Sequence, residues 1–482
     1  MEVLYQLRTE RLDELIERAE SILAQASAID EVESGHDDDD QWLREWQQEA
    51  IDAWIARGGR GIVEAVTGTG KTRVAVEAID RARQLGLRSL VLVPSIVLQE
   101  QWVRVLAEDL GLTNVGLVGG FGGLVPNAAC PVTVAVVNSA SRRRADFDGD
   151  FDMLVGDECH RYGAPTFSQA LLPSARLRLG LTATLERSDD GVDNILIPYF
   201  GEVCYRYDFS RARREKVIAP YRVMIIGVEL DFDSRCRYDD AGKRMGTARK
   251  RLVEEFGCPE RPIGEFLEMV GRLAGGWGEA SALAGVYLGA LKERRQILSE
   301  SPEKQDVLAN LAPAIRASGH AVTFTETIEA AETIDALLLT RGVMSCSYHS
   351  GKDSDACREA LGAFEEGDLE CLVAVRSLDE GIDVPAINLG IVAAATQQRR
   401  QMVQRMGRVV RRKDDGRGAA FVVIYARDTS EDPARRAAET EAEPSHYEDL
   451  LQNAEAVESI RAADVDPARI AATIASWIAS PR

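Results

Sequence analysis

Two short stretches of this chain bring together side chains able to handle a phosphate group. In "AVTGTGKT", Ala65 to Thr72, an apolar run ends in a loop of Thr67, Gly68, Thr69 and Gly70, and Lys71 and Thr72 then open a helical pattern. Glycine lets the backbone curl so that successive N–H groups face one anion, and a helix start adds its dipole. Lys71 offers a point charge to the β and γ phosphates, and Thr72 offers a hydroxyl to a magnesium ion. Ala65 stands where the usual pattern has its first glycine, and alone the stretch reads either as a nucleotide loop or as an ordinary glycine-rich turn. The second stretch, "FDMLVGDECHRYG" from Phe151 to Gly163, stops an apolar run on two adjacent carboxylates, Asp157 and Glu158. Burying two like charges together is costly, because they repel and lose their water. The pair therefore either sits at an exposed strand end or faces something positive.

The elements around these stretches favour the second choice. Short apolar runs at 61–66, 89–95, 132–137, 151–158 and 177–184 alternate with helical stretches such as "TRVAVEAIDRARQ". Continuous apolar strands separated by helices predict parallel βαβ units covered on both faces. In such a sheet the carboxyl ends of the strands share one crevice. A magnesium ion on phosphates held by Lys71 and Thr72 then supplies the missing positive charge, with Asp157 holding the metal and Glu158 polarising the attacking water. The alternation returns at 321–326, 345–350, 369–375, 387–394 and 419–426. The fold expected is α/β, with two parallel-sheet domains.

Organisation follows from composition. At 482 residues the chain is too long for one ordinary core, and 45% hydrophobic with 28% charged residues is a globular balance. No apolar run reaches membrane-spanning length, the N-terminal stretch lacks a secretory centre, and the eight cysteines form no C-x-x-C pair, so a cytoplasmic setting without a membrane is expected. The net charge of −21 argues against a nucleic-acid partner until its distribution is read. Residues 1–40 hold 13 acidic and 3 basic residues, and residues 428–482 hold 12 and 5, which leaves the middle close to balanced. The acidic ends read either as competitors of DNA for a basic groove or as solubilising tails. The expected domains are an acidic helix and linker over 1–40, a nucleotide-binding domain over 41–227, a helical insertion over 228–310, a second α/β domain over 311–427, and an acidic helical tail over 428–482.

"AVTGTGKT", "DECH" and "LTAT", followed by "SLDEGIDVP" (377–385) and "QRMGRVVR" (404–411), resemble in this order the motifs of superfamily II helicases, over roughly 41–427. "DECHR", "LTATLERSDDG" and "LREWQ" (43–47) are most similar to the XPB/UvsW-like branch of DNA helicases and translocases. The resemblance implies two RecA-like domains with ATP and Mg²⁺ in the cleft between them. It also implies roles: Arg44 and Gln47 reading the adenine, and His160, Thr182, Thr184 and Gln404 coupling the nucleotide site to the nucleic-acid track. Gly381 and Asp383, with Glu380, would contact the ribose, and Arg408 and Arg411 would reach across the cleft as arginine fingers. Pro94, Ser95, Ser139, Thr325 and Ser377 fall in the backbone-contacting segments of that family. Arg376 departs from the threonine many relatives carry, and Arg142 to Arg144 form either a strand contact or a solvated face.

The resulting expectation is an ATP-dependent DNA helicase or translocase acting on single-stranded, duplex or branched DNA. A double-strand DNA remodeller serving a nuclease or other subunit of a defence or repair complex, an RNA helicase, and a nucleotide-gated binder without turnover are the alternatives.

Overall fold

The computed structural model describes residues 42–119, 130–144, 149–187, 189–261, 263–375, 387–393, 407, 409–411, 413, 416–433 and 448–479. The expected helix within 1–40 and the residues Arg376, Ser377, Glu380, Gly381, Asp383, Gln404 and Arg408 lie outside them.

Two seven-stranded sheets, all of whose described pairings are parallel, form the frame. The first has the order β3-β4-β2-β5-β6-β1-β7. Its strands are β1 (Arg60–Ala65), β2 (Ser89–Val93), β3 (Val115–Val118), β4 (Val132–Val136), β5 (Met153–Gly156), β6 (Leu177–Thr182) and β7 (Val203–Tyr207). The second has the order β10-β11-β9-β12-β13-β8-β14. It contains β8 (Tyr221–Val228), β9 (Ala321–Thr325), β10 (Ser345–Tyr348), β11 (Cys371–Val375), β12 (Leu389–Val392), β13 (Ala419–Ala426) and β14 (Val457–Arg461). β2 and β4 are buried at every position, as strands covered by helices on both faces must be. The two faces still alternate: Val91 and Val134 pack to one side of the first sheet, Leu90, Leu92 and Ala135 to the other.

Two domain limits expected from the sequence are corrected. β8 pairs with β13 and β14, so residues 221–228 belong to the second sheet and not to the nucleotide-binding lobe. The C-terminal region is not a helical tail: β14 closes the edge of the second sheet, and the helix Pro467–Ala479 buries Ile470, Ile474 and Ile478 in the second lobe's core. β14 alternates exposed and half-buried positions along an edge, so it lacks the continuous apolar run that marks the inner strands.

Between β8 and β9, helices Phe232–Phe256, Ile263–Ala274 and Glu279–Ser299 form the expected insertion with a small core of its own around Leu252, Phe266, Val270 and Tyr287. The main apolar cluster runs from the first lobe into the second through Tyr207, Phe209, Val217, Ile218, Tyr221, Val409 and Val410. The crossing between lobes is therefore packed.

Candidate active site in the cleft

The loop after β1 turns through left-handed glycines, Gly68 at φ +82° and Gly70 at φ +92°, and the helix Lys71–Gln84 starts immediately beyond. A Cβ on Gly70 would lie 2.9 Å from the Gln47 amide nitrogen, so only glycine fits there without displacing that side chain. Thr69 is fully buried, its hydroxyl donating to the Val66 carbonyl at 2.7 Å. The Lys71 Nζ donates to the Ala65 carbonyl at 2.9 Å, which leaves two N–H donors for another acceptor. Burial pulls the Lys71 ammonium below its ordinary range, opposed by the Glu158 and Asp157 carboxylates. Thr72 is half-buried in the first turn of the helix.

Arg44 and Gln47 sit over this loop, at the start of the helix Glu45–Ala56. Arg44 donates from its guanidinium to the Thr69 carbonyl at 3.0 Å, and the Gln47 amide donates to the Gly70 carbonyl at 3.0 Å. The Gln47 carbonyl accepts from the Arg44 backbone N–H at 2.8 Å. Each of these bonds clamps the loop, and the Gln47 amide retains one N–H and one lone pair for a planar base edge.

At the end of β5 the carboxylate pair is divided by environment. Asp157 is buried; its Oδ2 accepts from the Trp102 indole N–H at 2.9 Å and its Oδ1 from the Glu158 N–H at 3.0 Å. Burial pushes the Asp157 carboxyl up, countered by Trp102 and Lys71. Glu158 adopts φ +50°, a left-handed conformation costly for a side chain of this size, which swings its carboxylate away from Asp157's environment toward His160, 3.4 Å off. His160 Nδ1 lies 3.0 Å from the Thr182 hydroxyl, which donates to the Thr184 carbonyl at 2.7 Å. Three of the four coupling residues named from the sequence, His160, Thr182 and Thr184, thus form one buried chain running from Glu158. Arg187 closes it by donating to the His160 carbonyl at 2.6 Å while forking onto Asp189.

The second lobe reaches this loop directly. A Cβ built on Gly407 would stand 1.4 Å from the Thr67 hydroxyl, and one on Gly68 would stand 2.5 Å from the Gly407 carbonyl and 3.2 Å from Arg411 Cγ. Thr67, Gly68, Gly407 and Arg411, separated by more than 300 residues, therefore share one contact. Trp102 and Gly407 were not singled out by sequence reasoning. Trp102 falls on the apolar stripe of the helix Ile96–Leu110 with Leu98 and Leu106, a pattern that signals core, while Gly407 lies inside a motif read for its arginines.

The residues named for strand contact fare unevenly. Ser95 caps the helix Ile96–Leu110 by accepting from the Leu98 N–H at 3.3 Å, and Ser95 and Ser139 are half-buried. Pro94 is buried, and Thr325 is fully buried as the last residue of β9 between β11 and β12. Arg142 is exposed at the end of the helix Val137–Arg142.

A phosphate-cradling loop, a carboxylate pair and a facing lobe on a second parallel sheet define a two-lobed RecA-like nucleotide-binding protein. Two family models match the chain: "Type III restriction enzyme, res subunit" over residues 41–187 and "Helicase conserved C-terminal domain" over 303–413. A DNA 3'-5' translocase, XPB2, of Sulfurisphaera tokodaii is 29% identical over 81% of this chain and 82% of its own length. A DNA 3'-5' helicase, XPB, of Mycobacterium tuberculosis is 28% identical over 80% of this chain and 61% of its own length. Against the curated relatives that follow XPB2, the chain spans less than two thirds of their length. In structure, the Pyrococcus furiosus Hef helicase domain overlays with a TM-score of 0.51 at 17% identity, covering 83% of this chain and 98% of that one. S. cerevisiae Dbp5 bound to RNA and ADP BeF3 gives 0.58 at 13%, covering 89% and 93%. The chain belongs to the superfamily II helicases and translocases, in the XPB-like branch, and membership implies the use of ATP.

Proposed function

We propose that the protein is an ATP-driven DNA motor, a helicase or translocase that moves 3'-5'. The observation that carries this reading is the meeting of Gly407 and Arg411 with Thr67 and Gly68, because a motor needs its two lobes to touch the same triphosphate. The names of the XPB relatives support DNA as the track and 3'-5' as the direction.

In this reading the loop N–H groups and Lys71 bind the triphosphate, and Arg44 and Gln47 hold the base side. The donor set fits a magnesium ion, since Thr72 and Asp157 offer hard oxygens beside a phosphate cradle; when bound, the ion neutralises charge developing on the phosphates. Glu158 orients the attacking water and accepts its proton, its carboxylate held by the strained backbone and by His160. Arg408 and Arg411 meet the charge spread over the γ-phosphoryl oxygens with a delocalised fork that cannot lose its proton. Loss of the γ-phosphate removes those contacts and lets the lobes part. His160, Thr182 and Thr184 carry that change toward the strand-contacting face. Residues 1–40, a first lobe over 41–220, and a second lobe from 221 onward that carries the insertion and includes β14 and the helix Pro467–Ala479 are our working division of the chain.

ATP hydrolysis measured in parallel with single-stranded DNA, duplex, branched DNA and RNA tests the proposal. Stimulation by DNA well above RNA is expected, and equal or greater stimulation by RNA would overturn it. A second reading, translocation on duplex without strand separation, is favoured by the XPB2 relative's name as a translocase. Triplex displacement without unwinding of forked duplexes would select it.

A further inference from the structure

The chain crosses between the lobes through the segment after the helix Phe209–Arg214, and this crossing is tied at both ends. On the far side, the Ala219 N–H donates to the Val410 carbonyl at 2.7 Å, and Ile218 bridges Arg411 in antiparallel fashion. The linker is thus a backbone partner of the segment that carries Arg411. On the near side, the Tyr207 hydroxyl donates to Glu215 at 2.7 Å, and Arg211 donates to the other Glu215 oxygen at 2.5 Å. Arg211 also forks onto Glu49, with bonds of 2.8 and 3.1 Å, and donates to the Tyr205 hydroxyl at 2.6 Å. Glu49 belongs to the helix Glu45–Ala56, whose Trp46 stacks on Tyr207 with ring centroids 4.4 Å apart. The residue next to Trp46 is Gln47, which clamps the phosphate loop. Immediately beyond Glu215, Lys216 takes φ +55°, a conformation that a lysine holds only when its surroundings impose it.

We propose that Tyr207, Arg211 and Glu215 are positioning residues: they form a strut between the base-side helix Glu45–Ala56 and the linker, and through the linker they set where Arg411 stands against the phosphate loop. This rests on the reading of Arg411 as a group that meets the triphosphate. Bidentate arginine pairs and stacked aromatics are rigid in a way single surface ion pairs are not, and here one guanidinium bridges two carboxylates and a phenol. Arg211 also lies over the rings of Tyr205 and Tyr207, at 5.9 and 5.5 Å from their centroids. The hydrogen bond to Arg211 holds the Glu49 carboxyl below its ordinary value. A displacement at the base side of the nucleotide site would be passed to the arginine side without crossing the phosphates.

The test uses the full chain and DNA-stimulated ATP hydrolysis. Tyr207→Phe removes one oxygen and keeps the stack on Trp46; Arg211→Ala removes the bridge. Both are expected to lower kcat at least fivefold while the KM for ATP and the affinity for a fluorescent ATP analogue stay within twofold. A merely structural role would instead lower the melting temperature and both kinetic constants together. Each change is then combined with Arg411→Ala. Since the strut acts through Arg411, the double variants should turn over no more slowly than Arg411→Ala alone. Unchanged kcat in Tyr207→Phe, or an equal fold loss with and without Arg411, overturns the strut. Full turnover in Arg411→Ala alone would instead bring down the underlying reading of that arginine.

Discussion

In the proposed mechanism Lys71 binds the triphosphate and Glu158 acts on the attacking water, and substitution should separate them. Lys71→Ala and Glu158→Gln should each lower ATP turnover by about 10²-fold or more. Only the first should weaken nucleotide binding, because the glutamate acts on water and not on the triphosphate. Isothermal titration beside a turnover assay checks this, and equal loss of binding in both would contradict the assignment. Titration gives a second test at a site away from the cleft. His349 holds the Glu332 carboxyl below its ordinary value of 4.5 through a 2.6 Å hydrogen bond. A depressed folded-state value adds stability that is present above pH 4.5 and lost as pH falls through the folded value. Glu332→Gln should therefore lower the unfolding midpoint in denaturant at pH 7, with the difference from the parent shrinking as pH falls below 4.5. Of the site itself, the residues carried by local motifs were readable one by one: Lys71, Asp157, Glu158, and the chain His160–Thr182–Thr184. Trp102 was not, because an indole in an apolar stripe looks like core until a carboxylate is found against its N–H.

At the scale of elements, the glycine in "QRMGRVVR" matters as much as the arginines around it. Any side chain at 407 would collide with Thr67, so Gly407→Ala should hold the lobes apart and lower turnover by about 10²-fold, as a misplacement of an ångström or so can. An ATP turnover assay checks this, and parent-like turnover would show that the lobes accommodate the added methyl. The C-terminal elements give the opposite signature. Ile474 is fully buried on the helix Pro467–Ala479, and Ile474→Ala should cost about 2–5 kcal/mol of stability with the phosphate loop intact. Inner strands of both sheets other than β8 were readable as continuous apolar runs, since a strand covered on both faces must be apolar throughout. β3, β7 and β14 were not. They are short or outer strands whose neighbours lie on only one side, and their patterns do not distinguish them from loop or helix.

At the scale of the whole molecule, a chain of net charge −21 that works on a polyanion must keep its acidity away from the track. Removing residues 1–40, which carry 13 acidic and 3 basic residues, should raise DNA affinity at low salt, with the difference shrinking as salt is added. Fluorescence anisotropy across a salt series measures it, and no change at low salt would mark those residues as a solubilising extension. Turn glycines, helix starts and apolar periodicity act over a few residues, so the amino-acid order by itself determined the phosphate loop, the carboxylate pair, the two α/β halves and the helices between them. Only the tertiary structure decided that β8 and β14 join the second sheet, that Trp102 holds Asp157, and that the linker at Ile218 and Ala219 pairs with Val410 and Arg411. Those contacts join segments far apart in the chain, and no local preference encodes a partner 50 or 200 residues away; packing the two lobes together does.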